Sequence, residues 1–538
     1  MLKLMRLLTI VCLFFGLGTM TYAASPNPVS SAYMQSYFTT IAAASCLGVY
    51  LPHTSQEFDY LRSYGWQIES QQGNDGKVEM NYAVAKNYFP QINKQIYLVT
   101  FRGSASKSDW KINLETKKVN YGGSTLAEMQ ELAAQPVPKD GAAVHAGFNS
   151  AVDAVLRSGV VDENSKLRGL FKRVSEDPDA YLVLTGHSLG GATATLLGER
   201  LASLGMPKEK FVVITFGAPA IGNSVFAEQY GDKIKLLRIS NTADPVPGSL
   251  QTFFGGYKQF GEPVKYSLSN KISNLQHAMA MYFDYSISEY YKERDREISM
   301  GRLEPVADRK ITQQPVVAVW VNTSESLKKL AYVTDIKRFV LDEYRKMLPS
   351  YIIMERNLPK DAYIKQDLLK LSRDAGAEYM LVCGMDGSQA PKEGYWYLTL
   401  EQALVDKNGC MLALGSFGRK VSPSVGNIQA VGENLWQARE ALCEQLPFIV
   451  TQHEANLGYS NVKIVEDEDM DLSELESELA NCQACPLRQD AIAPVGWYGN
   501  PESPIVFVGE GPGQVEDDYG CPLIGPDNCW TRLCGQPR

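Results

Sequence analysis

Residues 181–197 read YLVLTGHSLGGATATLL. The apolar run YLVLTG has the length and composition of a buried strand, and GGATATLL those of a closely packed helix. His187, Ser188 and Leu189 stand at the joint, and Gly186 and Gly190 complete a G-x-S-x-G pattern around the serine. A strand that turns at once into a helix strains the backbone at the turn. Side chains two positions to either side would strike strand or helix. The same geometry lifts the serine oxygen above the sheet edge, where the helix amino terminus favours developing negative charge. On composition alone the three fixed letters recur in roughly one chain in five of this length, so the strand-like and helix-like flanks carry the reading.

A serine hydroxyl is a poor nucleophile at neutral pH; it needs a base, and the base needs an orienting acid. In strand–serine–helix architectures of this kind the chain order is serine, acid, histidine. The sequence holds five histidines: His53, His145, His187, His277 and His453. Only His277 and His453 follow Ser188. His453 falls in the closing helical pattern of a later region, so elimination selects His277. Asp244 is the preferred acid. It follows the strand-like run IKLLRISN in the loop Thr242-Ala243-Asp244-Pro245-Val246-Pro247, whose prolines limit the wandering of the carboxylate. Asp232 competes, but it precedes that strand and is expected to face solvent. The oxyanion of acyl transfer also needs donors. The N–H of Leu189 is one. The N–H of Ser104, on the loop Phe101-Arg102-Gly103-Ser104 that leaves the strand IYLVT, is the candidate for the second.

Phe101-Arg102-Gly103-Ser104, Ser108-Asp109-Trp110, His145-Ala146-Gly147-Phe148, the GHSLG of residues 186–190, Phe216-Gly217-Ala218-Pro219, Asp244-Pro245-Val246-Pro247 and His277 occur in the order seen in class 3 lipases. Together they resemble that family across most of residues 30–295. The resemblance implies an α/β-hydrolase fold and hydrolysis of carboxylic esters, typically of acylglycerols, with no metal or cofactor. It puts the nucleophile on Ser188, the acid on Asp244, the base on His277 and the oxyanion donors on Ser104 and Leu189. Phospholipase A1 and aryl esterase activities stay open on the same fold, as does a catalytically silent binding module. Phe253, Phe254 and Tyr257 read equally as an apolar rim over an acyl chain or as loop packing, and the stretch after Trp110 is a second lid candidate.

With 538 residues the chain exceeds one ordinary core. Alternating helix and strand patterns over residues 25–300 predict an α/β domain with a mostly parallel sheet covered on both faces. A second, smaller α/β domain is predicted over residues 313–457, from the strand PVVAVWVN, the amphipathic helix DIKRFVLDEYRKML and a hairpin around Lys407-Asn408-Gly409. Its element order resembles the amino-terminal domains of TolB-like and curli-secretion-like periplasmic proteins, and its role stays open. Residues 1–24 place Lys3 and Arg6 ahead of LLTIVCLFFGLGTM and end in small residues, which predicts a cleaved signal peptide. The protein is thus expected to be exported, periplasmic or secreted, with a lipid or other ester as substrate and transient contact with lipid interfaces. A net charge of −9 without a long basic run speaks against a nucleic-acid footprint for the main domain. Between the signal segment and residue 300 the only cysteine is Cys46, so packing rather than a disulfide framework must hold that region together.

Residues 458–469 form an acidic linker, and residues 470–538 read as a truncated α/β fragment. There Cys482-Gln483-Ala484-Cys485-Pro486-Leu487 precedes the strand PIVFVGEGPG. The pair resembles the start of iron–sulfur uracil-DNA glycosylases of the family-four type, which implies that Cys482 and Cys485 are iron–sulfur ligands. A cluster normally takes four cysteines. Cys521, Cys529 and Cys534 do not stand at matching spacing, so the motif is incomplete and expected to be unoccupied. Residues 528–535, NCWTRLCG, can be encoded by codons whose shifted frame reads LLDKALW, as that family continues. The tail is therefore a candidate frameshifted fragment.

Overall fold

The computed structural model describes residues 32–449 apart from 51–57, 75–78, 90–92, 104–116, 161–168, 253–255, 268–275, 301–302, 304, 331, 356–363, 390–395 and 422–424. The signal-like segment, the acidic linker and the cysteine-bearing tail lie outside the described residues.

Helix α1 (Ala32–Gly48) precedes β1 (Gln67–Asn74), β2 (Glu79–Phe89) and β3 (Lys94–Phe101). The short strands β4 (Lys118–Asn120) and β5 (Ala143–His145) lead to α2 (Ala146–Val160). Strand β6 (Ala180–His187) then runs into α3 (Leu189–Ser203), followed by β7 (Phe211–Phe216), β8 (Leu236–Asn241), β9 (Glu262–Tyr266) and α4 (Met279–Ser299). The sheet order is β1-β2-β3-β6-β7-β8-β9. Strands β3 to β9 of this sheet are mutually parallel, and β1–β2–β3 is an antiparallel meander. Every residue of β6 and of β7 is buried, as strands covered on both faces must be. Successive side chains alternate between the faces: Val183 and Ile214 pack with Ile41 of α1, while Leu184 and Val213 pack with Val152 of α2 and Leu197 of α3. The mostly parallel sheet is as predicted. Strands β1 and β9 were not anticipated, because QIESQQGN and EPVKY sit at the sheet edges and carry no apolar alternation.

A second sheet, ordered β10-β12-β11-β13-β14-β15, follows. Its strands are β10 (Arg309–Lys310), β11 (Val317–Thr323), β12 (Tyr351–Met354), β13 (Tyr379–Gln389), β14 (Trp396–Asp406) and β15 (Met411–Lys420). Its helices are α5 (Val333–Met347), α6 (Ile364–Asp374) and α7 (Asn427–Gln445). The predicted hairpin is β14–β15. Gly409 takes a φ of 90° in its turn, and Asp406 accepts the N–H groups of Asn408 and Cys410 at 2.9 and 2.8 Å.

The two sheets share a core. One apolar cluster runs from Phe38 of α1 through Tyr282 and Ile287 of α4 to Phe339 of α5 and Leu435 of α7. Arg294 of α4 meets Asp342 of α5 at 2.7 Å, with both side chains nearly buried. Asp284 of α4 accepts the N–H of Asn427 at 2.7 Å and of Ile428 at 3.1 Å, capping the amino end of α7. The described residues of both sheets fall in one compact unit. The boundary expected between residues 300 and 313 thus separates two sheets but not two cores. Among the described residues no helix is long and apolar enough to cross a membrane.

Candidate active site

Ser188 occupies the joint between β6 and α3 with φ 56° and ψ −123°, a left-handed φ that few non-glycine residues adopt. Its N–H donates to the carbonyl of Phe216, the last residue of β7, at 2.9 Å. The flanking glycines meet the crowding the sequence implied. A β-carbon on Gly186 would lie 2.2 Å from the carbonyl carbon of Gly190, and one on Gly190 would lie 2.1 Å from the carbonyl oxygen of Phe101. Strand, turn and helix therefore touch backbone to backbone. Leu189 opens α3, and helix geometry gives its N–H no acceptor within the helix.

Asp244 follows β8. Its Oδ1 accepts the Val246 N–H at 2.9 Å, and its Oδ2 accepts both the His277 Nδ1–H at 2.7 Å and the Tyr282 hydroxyl at 2.5 Å. A carboxylate oxygen only accepts here, so Nδ1 carries the imidazole hydrogen and Nε2 keeps the lone pair a general base needs. The Asp244 side chain is fully buried, while that of His277 is 18% exposed. Burial first, and then the Asp244 charge, push the Tyr282 phenol well above its usual range, so it stays a donor. Asn241, at the end of β8, donates its amide to the Gln276 carbonyl at 3.2 Å and to the Gln276 Oε1 at 2.7 Å. That pair of bonds ties the loop bearing Asp244 to the loop bearing His277.

Gly217 shows how close the three residues lie. A β-carbon there would sit 2.8 Å from Asp244 Oδ2, 2.9 Å from the Tyr282 hydroxyl and 3.0 Å from His277 Cε1. The preceding residue, Phe216, holds Ser188. Ser188, Asp244 and His277 thus gather around the carboxyl end of β7, although up to 89 positions apart in the chain (277 − 188). Asp232, the competing acid, is exposed.

Tyr282 was not legible as part of this constellation. Within MYFDYSISEYY it reads as one more aromatic residue on a buried helix face. Tyr257, a rim candidate, is buried in the core beneath Lys118, whose Nζ stands 4.2 Å from the ring centroid. Ser104, the stretch after Trp110, Phe253, Phe254, Cys482 and Cys485 lie outside the described residues. His453 does too, beyond the end of α7 at Gln445. Among the described residues no group of three or more His, Cys, Asp or Glu is placed to hold a metal.

Residues 98–253 match the model of the lipase (class 3) family. A secreted mono- and diacylglycerol lipase A of Penicillium cyclopium is 25% identical over 249 residues, covering 39% of this chain and 74% of that protein. A secreted mono- and diacylglycerol lipase 1 of Fusarium solani is 32% identical over 162 residues, covering 29% of this chain and 40% of that protein. A chloroplastic/mitochondrial phospholipase A1 of Oryza sativa subsp. indica is 28% identical over 170 residues, covering 29% of this chain and 36% of that protein. The chain carries a lipase-type ester hydrolase domain, the enzyme class expected from residues 186–190 and their surroundings.

Proposed function

We propose that this chain is an exported serine ester hydrolase that cleaves acylglycerol esters through Ser188, His277 and Asp244. The observation that carries the proposal is the 2.7 Å bond between Asp244 and His277 Nδ1 at the end of β7, where Phe216 holds the backbone of Ser188. In the first half-reaction His277 Nε2 takes the Ser188 proton as Oγ attacks the ester carbonyl. The N–H groups of Leu189 and Ser104 stabilise the oxyanion. Collapse expels the alcohol, which leaves with the proton from His277, and the acyl group stays on Ser188. In the second half-reaction His277 deprotonates a water that attacks the acyl-enzyme, then returns the proton to Ser188 Oγ as the acyl C–O bond breaks, and the free acid departs. Asp244 holds the tautomer and steadies the imidazolium throughout. No metal or cofactor enters these steps, and Cys482 and Cys485 take no part.

Export is supported by the signal-like residues 1–24 and by the relatives from Penicillium and Fusarium, which are named as secreted. A second substrate reading, the sn-1 ester of a phospholipid, is supported by the match to the phospholipase A1 of Oryza. Both are tested by turnover of p-nitrophenyl esters of graded chain length, followed by mono- and diacylglycerol against phosphatidylcholine, with Ser188→Ala as control. Hydrolysis that vanishes in the control and favours acylglycerol is expected. Preference for phosphatidylcholine selects the second reading, and hydrolysis that survives in Ser188→Ala removes both.

A further inference from the structure

His187 precedes the nucleophile, yet its side chain turns inward, and the residue is only 7% exposed. Its Nε2 lies 2.8 Å from the main-chain carbonyl oxygen of His277. A carbonyl only accepts, so Nε2 carries the ring hydrogen. Its Nδ1 lies 3.2 Å from the hydroxyl of Tyr50, two residues beyond α1. In a neutral ring that nitrogen accepts, so Tyr50 donates. The rings of His187 and His277 face each other with centroids 4.5 Å apart at 34°. The Tyr50 hydroxyl also closes on Gly103, where a β-carbon would stand 2.3 Å from it and 2.6 Å from the His187 carbonyl oxygen. Two side chains outside the proposed triad are therefore bonded to each other, and between them they reach the backbone of His277 and of Gly103.

The protonation state fits that place. Burial first, and then the neighbouring His277, push the His187 pKa down to about 3, so the ring is neutral at working pH. A cation there would oppose the imidazolium that forms on His277, and a neutral donor does not.

We propose, on the reading that Ser188, His277 and Asp244 carry out ester hydrolysis, that Tyr50 and His187 are positioning residues that hold the His277 main chain and the Gly103 turn in register with Ser188. They act on the chemical step and not on substrate binding. Misplacement of a catalytic group by about 1 Å costs on the order of 100-fold in rate, which sets the scale of the effect.

The test measures kcat, KM and thermal midpoint for wild type, Ser188→Ala, His187→Phe, His187→Gln and Tyr50→Phe on one p-nitrophenyl ester. The glutamine amide replaces the Nε2–H donor to His277. We expect His187→Phe to lower kcat by about 100-fold with KM held within about threefold, His187→Gln to recover about tenfold of the loss, and Tyr50→Phe to lower kcat by about tenfold. Tyr50→Phe removes a single oxygen and keeps the test decisive if His187→Phe does not fold. Wild-type kcat in the folded variants, a loss that falls on KM, or a glutamine variant no better than phenylalanine overturns the positioning role while leaving the hydrolase reading in place. A wild type no more active than Ser188→Ala overturns the hydrolase reading, and the positioning role with it.

Discussion

The Tyr282 hydroxyl donates to Asp244 at 2.5 Å, on the same carboxylate oxygen that accepts the Nδ1–H of His277. Tyr282 lies on α4, which begins two residues after His277, so one helix start places both donors on one acceptor. Two positions further along, Asp284 caps α7 beside the second sheet. Helix α4 therefore links the site to α7 of the second sheet.

Tyr282→Phe removes one of three donors to Asp244 and the acceptor of the Asn241 N–H at 3.3 Å. A hydrogen bond to a charged group contributes about 1.5–3 kcal/mol, so chemical denaturation should show a loss of about 2 kcal/mol. With the imidazole less firmly held, kcat should fall about tenfold at constant KM. Unchanged stability and turnover would show the phenol to be incidental.

Gly190→Ala should be far more harmful than an ordinary glycine substitution, because its β-carbon meets the Phe101 backbone at 2.1 Å, and backbone yields only with the strand. Overpacking of this kind costs about 3 kcal/mol, and ester turnover should be lost with it. Gly384→Ala is the control: nothing lies within 4 Å of its β-carbon, and its cost should stay within about 0.5 kcal/mol. Equal unfolding midpoints for the two variants would contradict the close backbone contact.

Glu199, on α3, is fully buried, and its carboxylate oxygens have no hydrogen-bond partner among the described residues. Burial pushes its pKa up to about 8, against the smaller opposing pull of Lys233 and Lys208. The native carboxyl thus keeps its proton where the unfolded chain has released it. Its contribution to stability is complete below about pH 4.5 and is lost as pH rises through about 8, a change on the order of 5 kcal/mol. Urea unfolding from pH 5 to 9 should show wild-type stability falling with pH and a flatter profile for Glu199→Gln. Parallel profiles would mean that the carboxyl is ionised in the folded protein.

Asp284→Ala should cost about 1–2 kcal/mol, the usual effect of removing a helix cap. Because Phe38, Tyr282, Phe339 and Leu435 belong to one apolar cluster, unfolding should remain a single transition by fluorescence and by circular dichroism. Two separated transitions would restore two independent domains.

The sequence made the centre of the first sheet legible because β6, β7 and β8 are apolar runs and residues 186–190 mark the joint. Asp244 and His277 are read from chain order and elimination, and the structure brings their side chains to 2.7 Å. Edge strands β1 and β9 escaped because an edge need not alternate apolar and polar residues. Tyr282, Asp284 and His187 escaped for another reason. Each acts through a bond to a distant segment, and nothing in the local pattern distinguishes a phenol, a carboxylate or an imidazole that bonds across the fold from one that does not. The shared core was hidden likewise, since the apolar faces of α1, α4, α5 and α7 do not record which partner each one covers.

The central claim is that Ser188 is the nucleophile and that His277 activates it. The most direct measurement is reaction with a fluorophosphonate, followed by mass spectrometry of the peptides. A single adduct on Ser188, absent from Ser188→Ala and formed at least about 1,000-fold more slowly in His277→Ala, is the predicted result. An unmodified Ser188 in folded wild-type protein, or labelling at the same rate in His277→Ala, would contradict it.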